Sequence, residues 1–147
     1  MKTIWDNTKR QEFLSRLARL QPDTQSQWGK FNCAQMLAHC ADGLRMVLGD
    51  LATQPKGGPL RFAPLKYLII YWLPFPKGAP TAPELLARAP NGIAREVADI
   101  RELLARLAQS ETRASWPEHP AFGKLSTKDW GVLIYKHMDH HLRQFGV

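Results

Sequence analysis

The chain has 147 residues, 44% of them hydrophobic, and a formal net charge of +7. That length and apolar content exclude bulk disorder and suit one domain, residues 1–147, with a true core. The twenty basic residues are scattered, only Lys9 and Arg10 being adjacent, and no nucleic-acid motif accompanies them, which argues against a nucleic-acid partner.

The opening residues read as an amphipathic helix rather than a secretory signal. The longest apolar run, residues 67–76, is far short of the roughly 20 residues that a membrane span needs. A cytoplasmic protein with no membrane partner is therefore expected. Trp5, Phe13, Leu14, Leu17 and Leu20 predict a first helix over residues 6–20, stopped by Gln21-Pro22-Asp23. Asn32 and Gln35 then form an N-x-x-Q start. The second helix proceeds through Met36, Leu37, Cys40, Leu44, Val47 and Leu48 to a stop at Gly49. His39 borders its apolar face. Cys33 and Cys40 lie about 10.5 Å apart along that helix, beyond disulfide reach. They should be reduced thiols, as the cytoplasm favours.

Residues 51–90 carry most of the eleven prolines and include the apolar phrase RFAPLKYLIIYWLPF. A lone strand would lack a partner in a helical chain, so a short helix or an ordered apolar loop is expected there. A third helix opens at Asn91-Gly92 and runs to Gln109, with Ile93, Val97, Ile100, Leu103, Leu104 and Leu107 at helical spacing. Arg95, Glu96, Asp99, Arg101, Glu102 and Arg106 fill its other, solvated face. A turn-rich loop containing His119 leads into the last helix.

That helix begins with Ser126 and Asp129 in a capping-box-like S-x-x-D. Trp130, Ile134, His137, His141 and Phe145 trace one stripe along it. Two imidazoles stand where leucines belong. Each is either a core histidine satisfied by hydrogen bonds or a ligand for zinc, nickel, iron or copper. At about 100° per residue His141 lies about 40° from His137, whereas His140 lies about 60° away on the other side, at the edge. Four long amphipathic helices with one proline-rich, partly apolar crossover between the second and third imply an all-α four-helix bundle. In it His39 can meet His137 and His141. Three histidines leave a coordination position open, as catalytic sites do. Gln35, His140 and Gln144 stand where they could orient such ligands. Asp139 and Lys136 should point away, and Cys40 reads as a packing thiol, so no catalytic base is identified.

The phrase W-G-x-x-N-x-x-Q-M-L-x-H over residues 28–39, followed by H-x-x-H-H-x-x-Q over residues 137–144, resembles the DinB/YfiT-like superfamily. The longer phrase HPAFGKLSTKDWGVLIYKHMDHHLRQFGV resembles a branch of it largely of unknown function. The resemblance implies a four-helix bundle, often a homodimer, with His39, His137 and His141 as metal ligands. It implies zinc, nickel or iron as the metal. In some branches it implies a low-molecular-weight thiol cosubstrate such as bacillithiol, mycothiol or glutathione. The expectation is a metal-dependent enzyme acting on a small molecule, a thiol S-transferase ahead of a hydrolase. The alternative is a non-catalytic bundle, stabilised by its metal or used as a binding module.

Overall fold

In the computed structural model, which describes residues 1–147, five α-helices and two short 3-10 turns account for the regular structure, with no strands. They are α1 (Asn7–Leu17), α2 (Cys33–Leu48), α3 (Leu65–Tyr71), α4 (Ile93–Gln109) and α5 (Thr127–Gln144). The four long helices are those that the spacing predicts. The fifth, α3, lies in the crossover.

Local chemistry sets most of the boundaries. Asp6 caps α1 by accepting from the Thr8 amide at 2.8 Å. Asn32 and Gln35 form a reciprocal capping box at the start of α2, and Ser126 and Asp129 do the same for α5. Gly49 ends α2 with φ 91°, a left-handed conformation that glycine adopts without strain. The first helix stops at Leu17 rather than Leu20. A turn with Leu20 N–H bonded to the Leu17 carbonyl replaces the last helical turn before Pro22.

The short α3 needs tertiary help, because seven residues are too few to hold a helix in water. Ile70 is its one fully buried side chain. Lys136 on α5 supplies the rest, donating to the carbonyls of Ile69, Ile70 and Leu73 at 2.5, 3.0 and 2.6 Å. The first two are among the carbonyls that a helix C-terminus leaves without partners, and the third lies two residues past the helix. Tyr71 also donates its hydroxyl to Asp129. The crossover is thereby fastened to the helix that carries His137 and His141.

Helices α2 and α4 pack along each other through Met36, Leu37, Leu44, Ile100, Leu104 and Leu107, all nearly inaccessible to solvent. Helix α5 closes the core from the other side with Trp130, Met138 and Leu142. The N-terminal segment crosses α5 at Gly131, where Ile4 donates to the Gly131 carbonyl at 3.0 Å. A Cβ at that glycine would overlap the Trp5 indole and the Thr3 hydroxyl. No helix is long and apolar enough to cross a membrane.

One expectation needs correcting. Glu96 does not sit on a solvated face of α4. It is fully buried and paired with Arg88 from the crossover at 2.6 Å. Arg88 also reaches Asp42 on α2 at 3.2 Å, and Glu96 accepts from the Asn91 amide at 2.8 Å. The pair ties residues 88–91 to two helices.

Candidate metal centre

The second helix and the last one bring His39, His137 and His141 together: one nitrogen from each lies within 4.8 Å of the others. The ring centroids stand 4.9, 4.7 and 4.8 Å apart, and the rings meet edge to face. Nε2 of His39 and Nε2 of His137 are 2.9 Å apart.

The partners of the other nitrogens settle which ones carry protons. His39 Nδ1 lies 3.3 Å from the Leu85 carbonyl, which can only accept, so Nδ1 holds the hydrogen and Nε2 a lone pair. His141 Nδ1 lies 2.9 Å from Gln144 Oε1. The amide is oriented by its other end, since Gln144 Nε2 donates to the Trp28 carbonyl at 2.7 Å. His141 must then donate from Nδ1, leaving Nε2 free. Two outer carbonyl oxygens thus leave an Nε2 lone pair on each of two rings of the cluster, an arrangement common around metal-binding histidines.

Electrostatics keep the rings neutral, the form that binds metal. Burial lowers His141 to about 3, with His39 adding repulsion and Gln144 opposing the shift. His137 is held well below its ordinary value by burial first and then by the neighbouring imidazoles. His39 is lowered by burial, against the opposing pull of the Leu85 carbonyl and Asp42.

Gly43 makes room for the third ring. A Cβ there would come within 3.2 Å of His137 Cε1, so the absent side chain lets the imidazole lie against α2. Phe31 covers the cluster, its ring 5.3 Å from His39 and 6.0 Å from His141. A cavity of about 460 Å³ opens beside His39, lined by Phe31, Gln35, Leu85, Leu86 and Arg88 among others.

The remaining candidates divide. Gln144 touches His141 directly. His140 makes no hydrogen bond to the three rings; it packs edge-on against Trp28 and Phe75, 5.2 Å from His141 ring to ring. Gln35 points its Oε1 at the Asn32 amide as a helix cap and reaches the cavity, not the imidazoles. Asp139 pairs with Arg16 at 2.7 Å, and Lys136 is committed to the α3 carbonyls. Cys40 is buried, with Sγ 3.7 Å from the Met36 sulfur, and burial pushes its thiol up. Both cysteines are free. His119 lies apart in its loop, where Nδ1 accepts from the Ala121 and Phe122 amides, and burial lowers it to about 4.

The donor set suits a divalent transition metal: three neutral imidazoles, two with fixed tautomers, beside an open cavity. A family model described as the DinB superfamily matches residues 7–145. The chain belongs to the DinB superfamily. Among curated proteins and among solved structures, nothing matches. In this DinB superfamily chain the two helices that carry the histidines are those whose ends have capping boxes. Their register is fixed at the end where the site needs it for α2, and eight residues upstream of His137 for α5. Sequence reasoning missed Leu85, Gly43 and the Trp28 carbonyl. Two of these contribute backbone oxygen and the third contributes a missing side chain, so residue type carries no signal for them.

Proposed function

We propose that this chain is a metal-dependent enzyme in which His39, His137 and His141 hold a divalent zinc, nickel or iron ion, and that it transfers thiols to, or hydrolyses, a small molecule. The observation that carries this reading is the cluster itself, one nitrogen from each of three histidines within 4.8 Å of the others, with Nδ1 of His39 and of His141 taken up by the Leu85 and Gln144 carbonyls so that Nε2 is left for an ion. Buried histidines that served only packing would need no such convergence. When bound, the ion supplies Lewis acidity, lowering the pKa of a water or thiol or polarising a substrate oxygen.

The chain's own residues limit the rest. Asp139 and Lys136 are spent in structural pairs and Cys40 is buried and protonated, so no side chain at the cluster is free to act as nucleophile. The nucleophile therefore comes from outside, as water or as a cosubstrate thiol. Phe31, Leu85 and Leu86 give the cavity an apolar wall that can exclude water around a bound molecule. Arg88 borders the cavity, but its guanidinium is already engaged by Asp42 and Glu96, so it positions the wall rather than a substrate anion.

The cavity borders His39 alone of the three histidines, and that opening is what supports chemistry over a fully enclosed structural ion. Metal-loaded protein should accelerate loss of bacillithiol, mycothiol or glutathione with at least one member of a broad electrophile panel, or cleave one of a panel of esters and amides. The acceleration should vanish on chelation. Homogeneous, loaded protein that changes no rate across either panel would overturn the enzymatic reading.

A further inference from the structure

The strongest unexplained feature outside the histidine site is the outer face of α3 and its flanks. Phe62, Leu68, Trp72 and Leu73 are exposed by 68, 43, 78 and 45%, and Tyr67 by 41%. Five of the chain's seven exposed large hydrophobic side chains therefore fall within twelve residues. Scattered exposed leucines call for no explanation, but a cluster of this kind marks an interaction surface.

The patch is also rigidly mounted. Lys136 caps the α3 carbonyls, Tyr71 is tied to Asp129, and Lys66 donates to the Lys124 carbonyl at 3.0 Å. Its order does not depend on a partner, so binding carries little cost of ordering the segment.

Charge identifies the partner. Between Asp50 and Glu84 the crossover carries Lys56, Arg61, Lys66 and Lys77 and no acid, and Lys66 stands inside the patch. Lys124 and Lys128 on the neighbouring α5 side add two more, both exposed, with Lys128 Nζ 5.7 Å from the Tyr71 ring. Glu118 pairs with Arg61 at 2.7 Å, so those two charges cancel, and the Asp129 carboxylate is buried, accepting from Tyr71 and Ser126. A self-complementary interface would set this positive field against its own copy, which opposes pairing of two α3 faces.

We propose that this face docks on an anionic lipid surface, with Phe62, Leu68, Trp72 and Leu73 entering the headgroup boundary and Lys66, Lys124 and Lys128 meeting lipid phosphates. Tryptophan and tyrosine favour that boundary, and apolar side chains combined with basic residues are what a surface-lying helix uses. This departs from the expectation of no membrane partner, which rested on the lack of a spanning segment, and it needs no helix that crosses a bilayer.

The test is sedimentation of the full chain with vesicles of neutral phosphatidylcholine and of phosphatidylcholine with 30% phosphatidylserine, at two salt concentrations, alongside sedimentation velocity without lipid. Binding should require the anionic lipid and weaken with salt. Trp72→Ser with Leu68→Ser should abolish it; both side chains are exposed, and circular dichroism with thermal melting checks that the fold is kept. Lys124→Glu with Lys128→Glu should weaken it by roughly fivefold or more for each lysine. No binding to anionic vesicles, equal binding to both vesicle types, or a dimer that the Trp72 and Leu68 changes dissociate would each overturn the proposal.

Discussion

Replacing His39, His137 or His141 with alanine should abolish or severely weaken metal binding, whereas His140→Ala should cost no more than about 10–100-fold. Each of the first three contributes a nitrogen to the cluster, and losing one leaves two ligands where a centre with an open position needs three. His140 is adjacent in sequence to His141 but lies against Trp28 and Phe75, with no hydrogen bond into the cluster. Titration of zinc and nickel into the four purified variants, each checked for folding, separates them. A lethal His140→Ala with a silent His141→Ala would mean that α5 presents the opposite register.

The second large effect concerns stability. Glu96→Ala should destabilise the fold by about 3 kcal/mol, at the lower end for breaking a buried ion pair, which is on the order of a 10 °C fall in melting temperature. Glu96 is fully buried, and its removal leaves Arg88 facing Asp42 alone and the Asn91 amide without its acceptor. The loss stays at the lower end because Arg88 keeps a 29% exposed side chain and can turn toward water. Burial pushes the Glu96 carboxyl up, but the Arg88 guanidinium and the Asn91 N–H outweigh it and hold it below its ordinary 4.5. Its contribution is then complete above about 4.5 and is lost as pH falls through the lower folded value. The wild-type protein should therefore lose part of its advantage over the variant in acid. Thermal melts of both proteins from pH 7 to pH 3 measure the difference. An unchanged melting temperature at pH 7 would show that the pair contributes nothing to holding the 88–91 segment.

The features legible in the sequence were those that act over one or two helical turns. The N-x-x-Q and S-x-x-D phrases announce helix starts because the capping partners are three residues apart. The stripe from Trp130 through His137 and His141 is legible because a helix repeats every three to four residues, and His39 is reached once two helices must share a core. What depends on distant partners was not legible. Helix α3 is held by a lysine 63 to 67 residues away in the chain, so its own apolar run could not distinguish a helix from a loop. Glu96 looks like any surface acid on α4, and only Arg88, folding back from the crossover, makes its burial possible. The Leu85 carbonyl that orients His39 is backbone, invisible to any reading of side-chain type.

The central claim is that three imidazoles hold one ion, and the most direct measurement is elemental analysis of the chain purified without a histidine tag. As isolated or after reconstitution, the protein should carry close to one equivalent of zinc, nickel or iron, and the His39→Ala variant should carry essentially none. Less than about a tenth of an equivalent of any transition metal in the reconstituted wild-type protein would contradict the account.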